Sequence, residues 1–448
     1  MQSLGKKYDF LSILATDCAG TNFEVLPSER RISESIWTER GFVARAVRAG
    51  RVVEHSFDTL PAASILEARL EALFAAPKTE AVLRTDLSES PLTAEYFADV
   101  KQDPFSLPSS EILDRLAAIQ KKAAEASPLV VMARSRGEWA RFSKLYVSKE
   151  RTLEQSFLWG QCYIFVAARR DGRTKQTFHA VSGRKGLELL DELGQFPKQV
   201  ALDAVQLLDA QSLEAGEYTV LLSPDMAGLL AHEAFGHGVE TDMYVKSRAK
   251  AAHFVGKRVG SPLVSMYDGA LSADQNGSYL FDDEGTEGGS TLVLDKGILV
   301  AGLSDRLSAE ELKIPATGNG RRWTFERKAY ARMTNTFFSA GSSSFDDLIS
   351  GIDYGWLLDR PNSGMEDPKN WGIQLVALVG REIKDGRLTG RIVSPVVCTG
   401  SVPDVLNAVD AVADTVDLRG NGYCGKGHKE LAKVSSGGPW VRTKMRLG

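Results

Sequence analysis

The sequence predicts an α+β fold, in which an N-terminal α/β domain of antiparallel strands and helices precedes a β-rich C-terminal domain. Between residues 22 and 57, apolar and charged residues alternate in short bursts separated by turn-forming residues, which is typical of an antiparallel meander. Apolar residues at helical spacing follow Pro61, which we expect at the first helical position, and again follow Ser109. Alternation then returns, with a hairpin turn predicted at Asp171-Gly172. Strands and helices in separate runs favour the α+β class.

Chain length predicts two domains. The 448 residues are more than one hydrophobic core usually holds. The last predicted helix of the first part ends before residue 212 and a strand follows it, so we divide the chain into residues 1–212 and 213–448. The second domain consists mainly of loops and strands, with a hairpin predicted at Asp385-Gly386.

Composition argues against several functional classes. With 43% hydrophobic and 25% charged residues, the chain has the balance of an ordinary globular protein. Its net charge of -4 and the lack of a basic block argue against a nucleic-acid partner. No apolar run approaches the ~20 residues of a membrane span, and the first residues do not form a signal peptide. The four scattered cysteines do not form a disulfide framework, so we expect a cytoplasmic protein without a membrane partner.

The segment 229–242, with the sequence LLAHEAFGHGVETD, carries the strongest chemical signal. His232 and His237 are two metal-binding side chains, and Glu233 is a carboxylate beside them. In the zinc-peptidase pattern the histidines are four residues apart and share one helix face, with the glutamate as general base. Here they are five residues apart, which separates them by about 140° on a regular α-helix. Convergence on one metal therefore requires either a π turn or a helix that ends near Gly236.

An alternative interpretation of this segment is a helix end at which both histidines cap the helix or face solvent. We predict that the helix has Ser223 as its N-cap and Pro224 as its first residue. It is short and mostly apolar, which indicates burial. Because buried histidine and glutamate side chains are costly unless they are paired or bound to metal, the metal interpretation is favoured.

Cys424 is the candidate for a third ligand. It lies between Gly422 and Gly425, where the backbone can bend sharply and approach another group. Two histidines, one cysteine and a water in the fourth position are the ligands of an open catalytic zinc site. His428 is a competing ligand. The remaining cysteines and two histidines in strands are expected to be structural: Cys18, Cys162, Cys398, His55 and His179.

An acidic cluster is the other segment that could bind a cation. Asp282, Asp283 and Glu284 are consecutive carboxylates that could hold a hard metal ion. Consecutive acidic residues near a glycine are also typical of a solvated turn. We favour the hydrated turn.

Six short motifs occur in a fixed order and together resemble the TldD/PmbA family of zinc metallopeptidases. They are HEAFGHGVETD, DDEGT, TGNGR, RMTNT, DYGW and CGK, and they extend over most of the chain. TldD-like members keep the HExxxH pattern and PmbA-like members lack it, so the chain resembles the TldD-like kind. The resemblance implies zinc ligation by His232, His237 and Cys424, with Glu233 as the catalytic carboxylate.

The resemblance further implies a C-terminal metallopeptidase domain and a dimer whose cavity admits unfolded peptides. The second subunit would be a copy of this chain or a PmbA-like chain. Two segments depart from the family pattern, residues 357–372 after DYGW and the tail after Cys424. These departures bear on the choice of substrate and partner and leave the metal ligands in place.

Three residues of the RMTNT motif are predicted to bind a peptide backbone or an oxyanion: Arg332, Thr334 and Asn335. Two other functions stay open. The chain could be a non-catalytic PmbA-like binding or modulator subunit, which a closed fourth ligand such as His428 would favour. It could also be a zinc amide hydrolase acting on a small non-peptide substrate, because a motif does not specify pocket size.

Overall fold

The computed structural model describes residues 5–76, 89–427 and 430–448. The strands of the N-terminal part are β1 (Phe10–Val25), β2 (Arg30–Glu34), β3 (Glu39–Arg48), β4 (Arg51–Phe57), β5 (Leu92–Phe97), β6 (Val130–Val147), β7 (Arg151–Arg170) and β8 (Arg173–Gly183). They form one sheet in the order β4-β3-β1-β6-β7-β5. In the same sheet, β2 pairs with β1 and β8 pairs with β7. Its pairs are antiparallel except for β5 with β7. The hairpin predicted between β7 and β8 is confirmed, since Asp171 and Gly172 have φ of 51° and 78°.

Helices cover one face of this sheet. They are α1 (Ala63–Ala75), α2 (Ser109–Ala124), α3 (Glu188–Leu193) and α4 (Pro197–Gln206). Helix α2 buries Ile112, Leu116 and Ile119 against β6 and β7, because these residues recur at the helical period. Helix α1 begins at Ala63, so the prediction that Pro61 occupies its first position is wrong; Pro61 precedes the N-cap residue.

The C-terminal part is built from two larger sheets. Its strands are β9 (Gly216–Leu222), β10 (Met266–Asp268), β11 (Thr291–Asp295), β12 (Ile298–Leu299), β13 (Gly320–Arg321), β14 (Tyr330–Ala331), β15 (Asn335–Phe338), β16 (Tyr354–Asp367), β17 (Gly372–Lys384), β18 (Arg387–Val393), β19 (Val396–Ser401), β20 (Ala411–Val412), β21 (Asp417–Lys426), β22 (Glu430–Gly438) and β23 (Val441–Leu447). One sheet has the order β12-β11-β10-β15-β22-β21. The other has the order β16-β9-β23-β19-β17-β18, and β20 pairs with β23. Strands β13 and β14 form a separate two-stranded sheet. The hairpin predicted at Asp385-Gly386 is confirmed between β17 and β18.

A short buried helix lies between these two sheets. Helix α5 (Pro224–Ala231) begins as predicted, with Pro224 as its first residue and the Ser223 hydroxyl accepting from the backbone N–H of Met226 at 3.4 Å. It packs against β15, β16 and β22. A Cβ on Gly228 would lie 2.5 Å from Cα of Gly437, so the helix backbone touches the strand backbone directly. The other helices of this part are α6 (Thr241–Val245), α7 (Arg306–Leu312), α8 (Phe345–Ser350) and α9 (Val402–Asn407).

The acidic cluster joins the two parts of the chain. Asp283 pairs with Lys144, and Glu284 pairs with Arg45 at 2.5 Å. Asp282 accepts from the backbone N–H of Gly320 at 2.8 Å. The prediction of a hydrated turn is therefore wrong, because these carboxylates are buried and are compensated by cations and backbone donors.

The architecture confirms the α+β class, while the division at residues 212 and 213 stays a prediction. Along the part of the chain described here, no helix is long and apolar enough to cross a membrane.

Replacement of Gly228 by alanine is expected to destabilise the protein. The added methyl group would press against the backbone of β22, which cannot move without breaking strand pairs. We expect a loss of about 1–3 kcal/mol in the free energy of unfolding, the usual cost of overpacking. Denaturant unfolding in excess chelator measures it. Gly372→Ala is the control, because its Cβ would meet nothing within 4 Å; equal loss in both variants would contradict this packing.

Candidate metal centre

A π turn follows α5 and carries the two histidines. It spans His232–Gly236 and is closed by the backbone N–H of His237, which donates to the carbonyl of His232. A tighter turn over His237–Val239 ends the helical segment. Because the π turn is wider than an α turn, residues five apart come to one side of it. The rings of His232 and His237 are 5.2 Å apart between centroids. Of the two distortions expected from the sequence, a π turn and a helix end near Gly236, the structure shows the π turn.

Packing explains why the π turn forms at this position. The Phe235 ring contacts Trp371 at 5.9 Å between centroids. Gly236 passes so close to the Met333 side chain that a Cβ on this residue would overlap the sulfur. Glycine is therefore needed at the point where the wider turn meets the segment between β14 and β15.

Cys424 reaches the same point from a distant segment. It lies on β21 opposite Ala432, and its Sγ is 3.1 Å from Nε2 of His237. The ligand atoms of His232, His237 and Cys424 all lie within 4.8 Å of one another. A tetrahedral zinc with bonds of about 2.0–2.3 Å needs donors only slightly closer than this, so these residues fit the ion. In the stretches 5–76, 89–427 and 430–448, this is the group of three side chains suited to a metal; His428 lies outside the described residues.

The thiol of Cys424 differs electrostatically from the other thiols. Burial disfavours the thiolate, but the neighbouring His232 and His237 outweigh burial and hold the pKa of Cys424 well below its usual value. Burial likewise opposes the charged form of His237, yet the Cys424 thiolate and Glu240 raise the pKa of this imidazole. Both shifts favour a thiolate paired with an imidazolium when no metal is bound. Burial instead raises the pKa of the three remaining thiols: Cys18, Cys162 and Cys398.

The buried carboxylate of Glu240 lies beside the His237 ring. Glu240 Oε2 is 3.5 Å from Nδ1 of His237 and 3.0 Å from Nζ of Lys426, and its Oε1 accepts from Arg332 Nε at 3.3 Å. Burial would raise the pKa of the Glu240 carboxyl, but the positive charge of Lys426, with His237 and Arg332, holds this pKa well below its usual value. Sequence reasoning missed Glu240, although its position three residues after His237 in the same motif was a usable signal.

The residues predicted to bind substrate do not line the cavity beside the three candidate ligands. Arg332, Thr334 and Asn335 are all buried. The Thr334 hydroxyl donates to Asp268 at 2.8 Å, and the Asn335 amide donates to the carbonyl of Gly269 at 2.9 Å. The prediction of substrate-facing donors is corrected accordingly, because internal acceptors take up these groups.

A cavity of about 870 Å³ opens onto the three ligand side chains. The site's carboxylate Glu233, 8% exposed, lines it next to His232. Strands β16 and β21 form much of its walls, and residues 178–180 of β8 show that the N-terminal part also contributes. His179, expected to be structural, is one of these wall residues and stacks on Phe196 at 3.9 Å between centroids.

Glu366 is a further carboxylate in this cavity that sequence reasoning did not single out. Its two oxygens are buried and find no hydrogen-bond partner among the described residues. Burial raises the pKa of Glu366 to about 9, and the negative charges of Glu233 and Glu240 add to the rise while His237 opposes it. Glu366 lies in the segment that departs from the family pattern, so no motif indicated it.

A buried site with two imidazoles, one thiolate and an adjacent carboxylate is characteristic of metal-dependent hydrolases. The sequence profile of the PmbA/TldA metallopeptidase C-terminal domain matches residues 215–446. The chain belongs to this PmbA/TldD family, which confirms the resemblance found in the sequence.

Relatives in the family carry metalloprotease names. The chain is 32% identical over 281 residues to a metalloprotease of Methanocaldococcus jannaschii, a match that spans 63% of this chain and 61% of the relative. It is 27% identical over 307 residues to a zinc metalloprotease TldD homolog of Saccharolobus solfataricus, with 68% of each chain covered. The chain thus covers less than two thirds of the first relative.

Solved structures share the fold along the whole chain. A Thermotoga maritima protein superposes with a TM-score of 0.79 at 19% identity, covering 100% of this chain and 98% of the other. TldE from Thermococcus kodakarensis superposes with a TM-score of 0.77 at 16% identity, again with 100% and 98% covered. At these identities the similarity defines the fold.

In metal-free protein, Cys424 is expected to react with iodoacetamide faster than the other three cysteines. The pKa of its thiol is lowered and the thiol lines the cavity, whereas burial raises the pKa of the other three. Mass spectrometry of peptides after timed alkylation measures the four rates, and added zinc should slow only the reaction of Cys424. A rate for Cys424 no higher than for Cys398, whose pKa burial raises to about 12, would contradict the assigned thiolate.

Proposed function

We propose that the protein is a zinc-dependent peptidase that hydrolyses unfolded peptides or small proteins. The observation that carries the proposal is the convergence of His232, His237 and Cys424 at one end of a cavity that Glu233 also lines. The metalloprotease names of relatives support it, and one of them is named a zinc metalloprotease. The residue types at the site favour zinc, because a thiolate and two imidazoles suit this borderline-soft ion.

Three protein ligands leave a fourth position for water or substrate, as in catalytic zinc sites. When bound there, zinc supplies a Lewis acid for the scissile carbonyl and lowers the pKa of water. The two imidazoles and the thiolate would hold the ion. The cavity walls limit the access of bulk water to it.

Glu233 is the general base of the proposed reaction. It follows His232 in the π turn, so its carboxylate opens to the same cavity. A Cβ on Gly364 would lie 2.6 Å from Cγ of Glu233, so the missing side chain on β16 makes room for this carboxylate. In this position Glu233 takes a proton from the attacking water and passes it to the leaving amine.

The shape of the cavity supports an extended peptide as substrate. Strand β16 pairs with β9 only at residues 355–358 but pairs with β17 as far as Asp367. Residues 360–366 therefore have one strand edge without a strand partner among the described residues, and all of them line the cavity. Such an edge offers backbone N–H and carbonyl groups to a peptide that lies alongside it. A cavity of about 870 Å³ accommodates a few residues of extended chain but no folded domain.

We propose that the working unit is a dimer in the cytoplasm. Its second subunit would be another copy of this chain or a PmbA-like chain, as the family resemblance suggests. The four unpaired cysteines support a reducing compartment. The mass of the protein in solution, alone and with a PmbA-like chain, tests the assembly.

The variant Glu233→Gln is expected to keep the fold and about one zinc per chain while losing peptidase activity. The amide has the shape of the carboxylate but cannot accept the proton of water, so turnover should fall by about 10²–10⁴-fold. Elemental analysis measures zinc, and cleavage of unstructured peptides measures activity. Small amides tested in parallel distinguish a peptidase from an amide hydrolase.

Two results would contradict the proposed function. The first is a wild-type protein, purified without chelator, that contains no transition metal. The second is a Glu233→Gln variant that cleaves peptide as fast as the wild type. A zinc-loaded wild type that cleaves neither substrate class would instead favour a binding or modulator subunit.

Zinc affinity is expected to fall as the pH is lowered. In metal-free protein the pKa of His237 is raised and that of Cys424 is lowered, so at neutral pH zinc must displace a proton from His237. Each displaced proton weakens binding by about tenfold per pH unit of acidification. Competition with a chelator of known affinity, between about pH 6 and about pH 8, measures the slope; a dissociation constant independent of pH would contradict a binding step in which zinc displaces a proton from His237.

A further inference from the structure

Arg332 lies between the two segments that carry the metal ligands. His237 and Cys424 are 187 residues apart in sequence, so neither local structure nor one turn of chain can hold them together. Arg332 belongs to a third segment and is only 1% exposed. It does not line the cavity, and this position excludes direct contact with a substrate there.

The guanidinium of Arg332 contacts both ligand segments at once. Its Nε donates to Oε1 of Glu240 at 3.3 Å, and Glu240 in turn faces the ring of His237. Its Nη2 donates to the backbone carbonyl of Cys424 at 3.0 Å, and its Nη1 donates to the carbonyl of Glu430 at 2.6 Å. The planar fork of arginine suits this task, because its donors point in fixed directions toward separate acceptors.

Lys426, two residues after Cys424 on β21, makes a second connection between the same segments, because its ammonium pairs with both Glu240 and Asp242. Its ammonium is 3.0 Å from Oε2 of Glu240 and donates to the carbonyl of Ala331 at 3.1 Å. Glu240 thus has two cationic partners, and loss of Arg332 would leave Lys426 to neutralise it. The carboxylate would stay paired, so the protein should fold without Arg332.

We propose that Arg332 is a positioning residue. It holds the side chains of His237 and Cys424 in place for metal coordination before the metal binds. The inference rests on the proposed zinc site and adds a role for a residue that is not itself one of the three proposed ligands. Ordering two distant segments on binding would reduce zinc affinity, and a preformed pair avoids this cost. A carboxylate that contacts the second ring nitrogen also orients the imidazole, and Arg332 orients that carboxylate in turn.

The test compares zinc affinity in four proteins: wild type, Arg332→Met, Arg332→Lys and Arg321→Met. Arg321 is the matched control, because its guanidinium donates to the carbonyl of Met333 at 2.6 Å and stacks on Tyr279 at 5.3 Å. Neither of these contacts involves a candidate metal ligand. Competition with a chromophoric chelator gives the dissociation constants, and the visible spectrum of the Co²⁺-substituted proteins reports the ligand geometry.

For Arg332→Met we expect a dissociation constant for zinc raised by about 10–100-fold, the usual effect of removing a partner of a ligand, and an altered Co²⁺ spectrum. Arg332→Lys should lie between it and the wild type, because an ammonium can pair with Glu240 but cannot also reach the carbonyl of Cys424. Arg321→Met should match the wild type in both measurements.

Hydrogen exchange in excess chelator gives a readout that does not require metal. In Arg332→Met, residues 231–242 and 420–427 should lose protection together, while Arg321→Met should retain it in both segments. Unchanged zinc affinity and protection in Arg332→Met would overturn the inference. If Arg332→Met does not fold, Arg332→Lys provides the test. A wild-type zinc affinity in Arg332→Lys would then overturn the inference. Failure of the wild type to bind zinc would instead overturn the proposed function.

Discussion

The structure depends on a buried helical segment whose hydrogen-bond spacing changes from α to π at His232. The wider turn brings residues five apart to one side, and only there do the two histidines face each other. Such a turn has poorer hydrogen-bond geometry than an α turn, so packing must hold it. Helix α5 supplies the support because it lies between the two C-terminal sheets and touches the backbone of β22 at Gly228.

Buried charge is the second constraint, and the protein meets it in the same way at two places. At the metal centre, Glu240 is compensated by Arg332 and Lys426. Between the N-terminal sheet and the C-terminal part, Asp283 and Glu284 are compensated by Lys144 and Arg45. Removing every cationic partner of such a group would leave a buried unpaired charge, which costs far more than an exposed pair contributes. These networks therefore fix the relative placement of distant segments more than they add to stability.

The candidate metal ligands and the other residues that line the cavity come from different elements. The ligands and Glu233 come from α5, the π turn and β21, whereas β16 and residues 178–180 form other walls. The part of β16 that departs from the family pattern contributes Glu366 and the strand edge that lines the cavity. Changes in this segment can alter the cavity wall while the geometry of the three candidate ligands stays the same, because the wall and the ligands depend on different strands.

The sequence by itself determined the α+β class, both β-hairpins, the start of α5 and the set of chemically suited residues around HExxxH and Cys424. These depend on local periodicity, turn residues and ligand chemistry, which neighbouring residues specify. Only the tertiary structure decided between a π turn and a helix end, brought Cys424 to His237 and buried the acidic cluster. It also gave Arg332 an internal role and placed Glu366 in the cavity. These outcomes depend on contacts between segments up to 187 residues apart, and no local pattern encodes which buried acceptor a side chain will meet.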